Sequence, residues 1–183
     1  TQSDSMTYNL YSPPSVTINS PVNNSDTSLT IIQISGVTSN TRAGDTIQIY
    51  VNGVFSSQLS VAVQNGSFSG TAQLTGLGDS VSVKLTDAFH RTAYDTITVN
   101  YYAQPVVSIN VPINNTDTSV QIISVSGTTL NTRAGDTIQI YVNGVISSQL
   151  SVISQNGSWS GTALLTGLGD SVSVKLTDGF SRE

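Results

Sequence analysis

The segment TRAGDTIQIYVNGV occupies residues 41–54 and recurs unchanged at 132–145; LTGLGDSVSVKLTD occupies 74–87 and recurs at 165–178. Both recurrences are offset by 91 residues, and the correspondence runs without a gap from Val16/Val107 to Arg91/Arg182. Roughly three-quarters of the aligned positions are identical, the mark of a recent duplication of one structural unit. Whatever one copy folds into, the other must fold into as well. The chain of 183 residues therefore divides into two repeats, 13–103 and 104–183, preceded by a short N-terminal segment, 1–12.

Within a repeat the pattern has a period of two. Ile47, Ile49 and Val51 alternate with Thr46, Gln48 and Tyr50, and Val81, Val83 and Leu85 alternate with Ser82, Lys84 and Thr86. Such alternation marks strands with one buried face. No stretch combines helical spacing with helix-forming composition. Asn52-Gly53 and Asn65-Gly66 suit two-residue hairpin turns, and Gly76-Leu77-Gly78-Asp79 marks another turn. Seven strands per repeat are expected, near 15–19, 29–36, 45–52, 54–63, 67–74, 79–86 and 95–102. The expected fold class is all-β: two tandem β-sandwiches, the second lacking its last strand.

Extending the offset backwards exposes an asymmetry. Asp4 falls on Asp95, Thr7 on Thr98, Asn9 on Asn100, Tyr11 on Tyr102 and Pro14 on Pro105, while Met6, Tyr8 and Leu10 stand where Ile97, Val99 and Tyr101 stand. Residues 4–11 thus read as a closing strand with no repeat in front of it. Repeat 2 has no counterpart of 95–102, because Arg182 is followed only by Glu183. The expected donor strand carries Asp4, Met6, Tyr8 and Leu10; the expected acceptor groove is bordered by Val172, Val174, Leu176 and Phe180. Three inward side chains at about 1.5–3 kcal/mol each represent about 5–9 kcal/mol of burial, large against the ~5–15 kcal/mol that holds a domain together. The short, proline-stiffened linkers Ser12-Pro13-Pro14 and Ala103-Gln104-Pro105 make self-filling sterically hard. Head-to-tail donation between identical subunits is the expectation, a heterologous contact that yields an open filament.

The run AGDTIQIYVNG, followed by NGSFSGT (NGSWSGT in the second copy) and GDSVSVKLTD, resembles the immunoglobulin-like (Ig-like) repeat modules of large bacterial and archaeal surface proteins. The resemblance covers both repeats. In plan, the chain is most similar to the archaeal thread filaments assembled by donor-strand complementation, whose small two-domain Ig-like subunits are glycosylated and strung end to end. That likeness implies an extracellular polymer serving adhesion or biofilm formation. The alternative is a segment of a long surface adhesin or stalk whose neighbouring repeats supply the missing pieces covalently.

Charged residues make up only 9% of the chain, the net charge is −5, and no basic cluster exists. Nothing here could neutralise a run of phosphates, which excludes nucleic acid and anionic membrane as partners. Cysteine is absent, so disulfides and thiolate metal sites are excluded. There is no apolar run of membrane-spanning length. The start at Thr1 and the polar, lysine-poor composition give the expectation of a secreted protein whose leader has been removed.

No catalytic residue is expected. His90 is the single histidine and its counterpart is Ser181, which reads as a solvated turn. Asp26, Asp45, Asp79 and Asp87 recur as Asp117, Asp136, Asp170 and Asp178; beside glycine, turn and cap roles suit them. No calcium-loop motif is present, and Ca²⁺ at module junctions is the minor reading, implied by the resemblance alone. No metal or other cofactor is expected. Lys84 and Lys175 lie on outward faces, which argues against an internal isopeptide bond. Trp159, replacing Phe68, belongs to the core. Four N-x-S/T sequons begin at Asn23, Asn65, Asn114 and Asn156, all at expected turns, and are candidate N-glycan acceptors.

Overall fold

The computed structural model describes residues 3–60, 66–151 and 156–182 and divides the chain into two units, Thr1–Tyr102 and Ala103–Glu183. The protein is all-β. Unit 1 contains β1 (Ser15–Ser20), β2 (Ser25–Thr27), β3 (Ile31–Ser39), β4 (Thr46–Val51), β5 (Val54–Ser60), β6 (Ser67–Gln73), β7 (Asp79–Thr86) and β8 (Thr92–Tyr101). Unit 2 contains β9 (Val106–Val111), β10 (Ile122–Leu130), β11 (Thr137–Val142), β12 (Val145–Ser151), β13 (Gly157–Leu164) and β14 (Val172–Thr177).

Unit 1 is a sandwich of a three-stranded sheet, β1-β3-β6, and a five-stranded sheet, β2-β8-β7-β4-β5. The alternation read from sequence is the alternation of burial: β4 and β7 each bury every second residue. Ile34, Ile47, Ile49, Val81, Val83, Leu85 and Val99 are essentially sealed from solvent, with Val16, Ile18 and Phe68 packed beside them. The β4–β5 hairpin turns at Asn52-Gly53 with φ of +50° and +79°, the pair of positive values that a type I′ turn needs and that Asn-Gly tolerates. The β11–β12 hairpin repeats it at Asn143-Gly144.

Unit 2 has two three-stranded sheets, β13-β10-β9 and β12-β11-β14, each matching strands of unit 1 at the 91-residue offset. Val125, Ile138, Ile140, Val142, Trp159, Ala163 and Leu176 form its buried core. The Trp159 indole N–H donates to the Ser108 carbonyl at 3.2 Å, so the larger aromatic is both buried and satisfied.

Three details differ from the sequence expectation. Unit 1 has an eighth strand, β2, too short to show any alternation. β8 begins at Thr92 rather than at 95 and β3 runs on to Ser39, because their partners β7 and β1 extend the ladders there. At Asn156-Gly157 only Asn156 has positive φ and Gly157 already begins β13, so the pair is not a two-residue hairpin tip. The first copy of that pair includes Asn65, which lies outside the described residues, as do 61–63 of the expected fourth strand.

Candidate functional site

In unit 1, β8 lies between β7, antiparallel, and β2, parallel. Its inward row sets Asp95 opposite Val83, Ile97 opposite Val81 and Val99 opposite Asp79. A set of polar hooks holds the same strand from both edges. Asn24 N–H donates to the Thr98 carbonyl and Thr98 N–H to Asn23 Oδ1, both at 2.7 Å. The Asn100 side chain donates to Asp26 Oδ1 at 3.0 Å and accepts the Gly78 N–H at 2.9 Å. Tyr101 N–H reaches the Gly76 carbonyl at 3.0 Å and Tyr102 N–H the Thr27 carbonyl at 2.9 Å.

Unit 2 contains no strand equivalent to β8 or β2 among the described residues, and each consequence is local. β14 pairs with β11 and has its other edge open; it starts at Val172, whereas β7 starts at the position equivalent to Asp170. Residues 116–118, the counterpart of β2, form no strand, since a three-residue strand exists only by virtue of its partner. Six hydrophobic positions that are buried in unit 1 lose that burial: Val107, Ile109, Ile123, Leu165, Val172 and Val174. Ile109 rises to 38% exposed where Ile18 is 8%. The remaining core positions keep their burial. The six mark a groove at the place that β8 fills in unit 1, and the hook residues Asn114, Asp117, Gly167 and Gly169 occupy the places of Asn23, Asp26, Gly76 and Gly78.

Of the expected acceptor residues, Val172 and Val174 border this groove. Leu176 does not open into it: it is 4% exposed, buried like its counterpart Leu85. Phe180 stands elsewhere, with the Arg133 and Arg182 guanidinium groups 4.4 and 5.2 Å from its ring centroid. Sequence reasoning missed Val107, Ile109, Ile123 and Leu165. Their alternation marks β9 and β10 as half-buried, but which inward residues lie along the open edge is a property of the sandwich.

The expected donor residues lie together on a segment with no ladder partner: Met6 is 77%, Tyr8 86% and Leu10 100% exposed. Their root is fixed. Arg91 donates to the Tyr11 and Ser12 carbonyls at 2.9 and 3.0 Å, and Asn40 to the Pro13 carbonyl at 2.9 Å. The Arg42 guanidinium lies 4.2 Å from the Tyr11 ring centroid, a cation–π contact. Arg182 and Asn131 repeat the backbone clamp at Ala103 and Gln104.

Asp45, Asp79, Asp87, Asp136 and Asp178 are more deeply embedded than turn residues need be, whereas Asp26 and Asp117 are exposed. Asp45 accepts the Arg42 and Ala88 N–H groups. Burial raises Asp87, but its bonds and charge contact with Arg91 outweigh that and hold it below the usual carboxylate range; Asp178 and Arg182 do the same. For Asp79, burial is likewise outweighed by hydrogen bonds from Thr75, Gly76 and Asn52. Asp170, more exposed, is held far below that range by Gly167 and Thr166 N–H groups and then by Asn143 and the Thr166 hydroxyl. Each folded-state value is depressed, so the stability these groups supply is complete above the unfolded value of about 3.9 and is lost as pH falls through the folded values. Thermal melting is expected to be flat between about pH 5 and pH 7 and to decline only below about pH 4. A loss of stability centred near pH 6 would contradict it.

Asn23, Asn114 and Asn156 are exposed at turns, while Asn65 lies outside the described residues. His90 sits exposed at a turn with φ +62°, as Ser181 does at +60°. Lys84 is half-buried on the outward face, its ammonium 5.9 Å from the Tyr94 ring centroid.

Fold and site together define a pair of β-sandwich repeats, one closed and one open along a single edge. No protein-family model and no curated protein matches the chain. Among solved structures it is similar to the fibronectin(III)-like modules of CbhA from Clostridium thermocellum, at 15% identity over 91% of this chain and 87% of that one, with a TM-score of 0.37. It is similar also to a 1.5-MDa bacterial ice-binding adhesin, at 19% identity over 85% and 55%, TM-score 0.34. A Ca²⁺-stabilized adhesin with which an Antarctic bacterium binds ice matches at 18% identity over 91% and 48%, TM-score 0.34. The chain spans about half the length of the two adhesin structures.

Proposed function

We propose that this protein is a structural subunit of an extracellular filament, polymerising head to tail by donating residues 3–10 of one copy into the groove of repeat 2 of the next. The observation that carries the reading is the match between vacancy and segment. Burial is lost in repeat 2 at the positions that flank β8 and β2 in repeat 1, and the exposed N-terminal segment carries β8's pattern at the same offset. Exposing three large apolar side chains on one face of an unpaired segment is costly unless something covers them. An open strand edge lined by apolar residues is a template for strand addition. Exposed sequons at Asn23, Asn114 and Asn156 fit a glycosylated surface polymer. The role is architectural, in adhesion or biofilm, rather than catalytic.

The constant offset also fits a slice of a longer adhesin, in which neighbouring repeats supply both strands covalently. Negative-stain electron microscopy of the purified chain, beside a variant lacking residues 1–10, separates the two. Filaments are expected from the intact chain and none from the variant, which keeps Tyr11 and its clamp. Isolated particles from both would remove the polymer reading and leave the adhesin segment.

A further inference from the structure

Within repeat 1, Asp95 is the odd member of an inward row. The next two members, Ile97 and Val99, are buried apolar side chains, and a carboxylate in that row needs a partner. The partner is on the opposite sheet: Ile18 N–H donates to Asp95 Oδ2 at 2.7 Å. β1 runs antiparallel to β3 with a register shift between Ile18 and Ser20, and at this point the Ile18 N–H is turned away from β3 and toward β8. The bond ties the two sheets together across their seam. An apolar residue at position 95 would leave that N–H without its charged acceptor.

Repeat 2 reproduces the donor side of this arrangement. Ile109 pairs with Gly127 as Ile18 pairs with Gly36, and the register shifts at the same place, so the Ile109 N–H is turned toward the open edge. The N-terminal segment reproduces the acceptor side: Asp4 holds the place of Asp95 in the offset that sets Met6 on Ile97 and Tyr8 on Val99, and it is exposed.

We infer that Asp4 of one copy is the latch that fastens the N-terminal half of the donated strand to the opposite sheet of its acceptor, its carboxylate accepting the Ile109 N–H. This rests on the strand-donation reading. The other half of the strand has its own anchorage, since Thr7 and Asn9 are identical to Thr98 and Asn100, and the hooks for them are Asn114, Asp117 and Gly169. In repeat 1 the counterparts of those hooks lie in or beside β2 and β7, in the sheet of β8. Asp4 alone joins the donated strand to the β9 sheet by a polar bond. Apolar contact cannot substitute for it, because sliding a strand by two residues returns apolar to apolar.

The chain has no cysteine, which makes site-directed cross-linking clean. Repeat 1 sets Ser82 opposite Thr96 and Ser80 opposite Thr98, so Ser5 should face Ser173 and Thr7 should face Ser171 of the acceptor. Directly opposed antiparallel residues lie within disulfide reach, and diagonal ones do not. Two full-length double variants are needed, Ser5→Cys with Ser173→Cys and Thr7→Cys with Ser171→Cys, each under mild oxidation. Both are expected to form intersubunit disulfides. Adding Asp4→Leu should slow the Ser5–Ser173 cross-link about tenfold, the scale of a lost charge-assisted bond. It should leave Thr7–Ser171 nearly unchanged, and Asp4→Asn, which keeps an oxygen acceptor, should recover most of the rate. An unaltered Ser5–Ser173 rate in Asp4→Leu, or an equal loss at both pairs, would overturn the latch while leaving strand donation intact. Failure of both pairs to cross-link with Asp4 present would instead remove the strand-donation reading itself.

Discussion

In the variant lacking residues 1–10, the two repeats are expected to melt separately, repeat 2 about 15 °C or more below repeat 1. They are near-copies, so the difference comes from structure rather than composition. Repeat 1 buries a core that runs through β8, whereas repeat 2 keeps the half remote from the open edge and leaves Val107, Ile109, Ile123, Leu165, Val172 and Val174 partly in solvent. If each gives up about half the burial of an aliphatic side chain, the loss is about 1 kcal/mol per residue. Several kcal/mol is a large fraction of what holds a small domain together, and each kcal/mol moves the melting point of a domain this size by about 4–8 °C. A synthetic peptide of residues 1–10 should raise the lower transition in proportion to the logarithm of its concentration and leave the upper one where it is. Calorimetry of the variant with and without peptide decides the matter. One transition that ignores the peptide would mean that repeat 2 has no need of a strand.

Gly36→Ala should be the most damaging small substitution in repeat 1, costing about 3 kcal/mol or more. A Cβ at Gly36 would fall on the Thr17 carbonyl oxygen of β1, far inside van der Waals contact, and within 2.7 and 2.9 Å of two Phe68 ring carbons. The obstacle on one side is backbone of a paired strand, which cannot swing aside as a side chain can. Relief requires moving β1, and β1 carries Val16 and Ile18 into the core. Gly44→Ala is the contrast. No atom lies within 4 Å of its Cβ, and the residue is glycine because φ is +96°, so the cost is the left-handed backbone alone, about 1–2 kcal/mol. Urea unfolding of the two variants, read on the repeat 1 transition, should rank them in that order. Equal costs would mean that β1 yields freely.

The duplication, the strand alternation and the unmatched N-terminal segment could be read directly from the residues, because each is a pattern along the chain. β2 could not. Ser25–Thr27 contains no hydrophobic residue and becomes a strand only because β8 lies beside it, and its counterpart at 116–118, with nearly the same residues, is not a strand. The embedded aspartates were legible in kind but not in depth. Asp45 beside Gly44 announces a turn, while its 1% exposure comes from Ala88, 43 residues away, folding over it. The groove was half legible: Val172 and Val174 stand where Val81 and Val83 face β8 in repeat 1, whereas Ile109 lies on the other sheet and Leu176 is covered by its own neighbours. Phe180 carries no alternation signal of its own, and its setting between Arg133 and Arg182 is visible only once the loops are in place.

The parallel pairing of β2 with β8 has a mechanical consequence. Tension along the polypeptide enters repeat 1 at the start of β1, which runs on into β2, and leaves at the end of β8. Two parallel strands pulled from opposite ends are loaded in shear, so the bonds joining Asn24 to Thr98 and Thr27 to Tyr102 share the force and must break together rather than one after another. Survival under load is set by the rate of crossing that barrier and not by the equilibrium stability of the fold. A module of modest thermodynamic stability can in this way serve as a strong link.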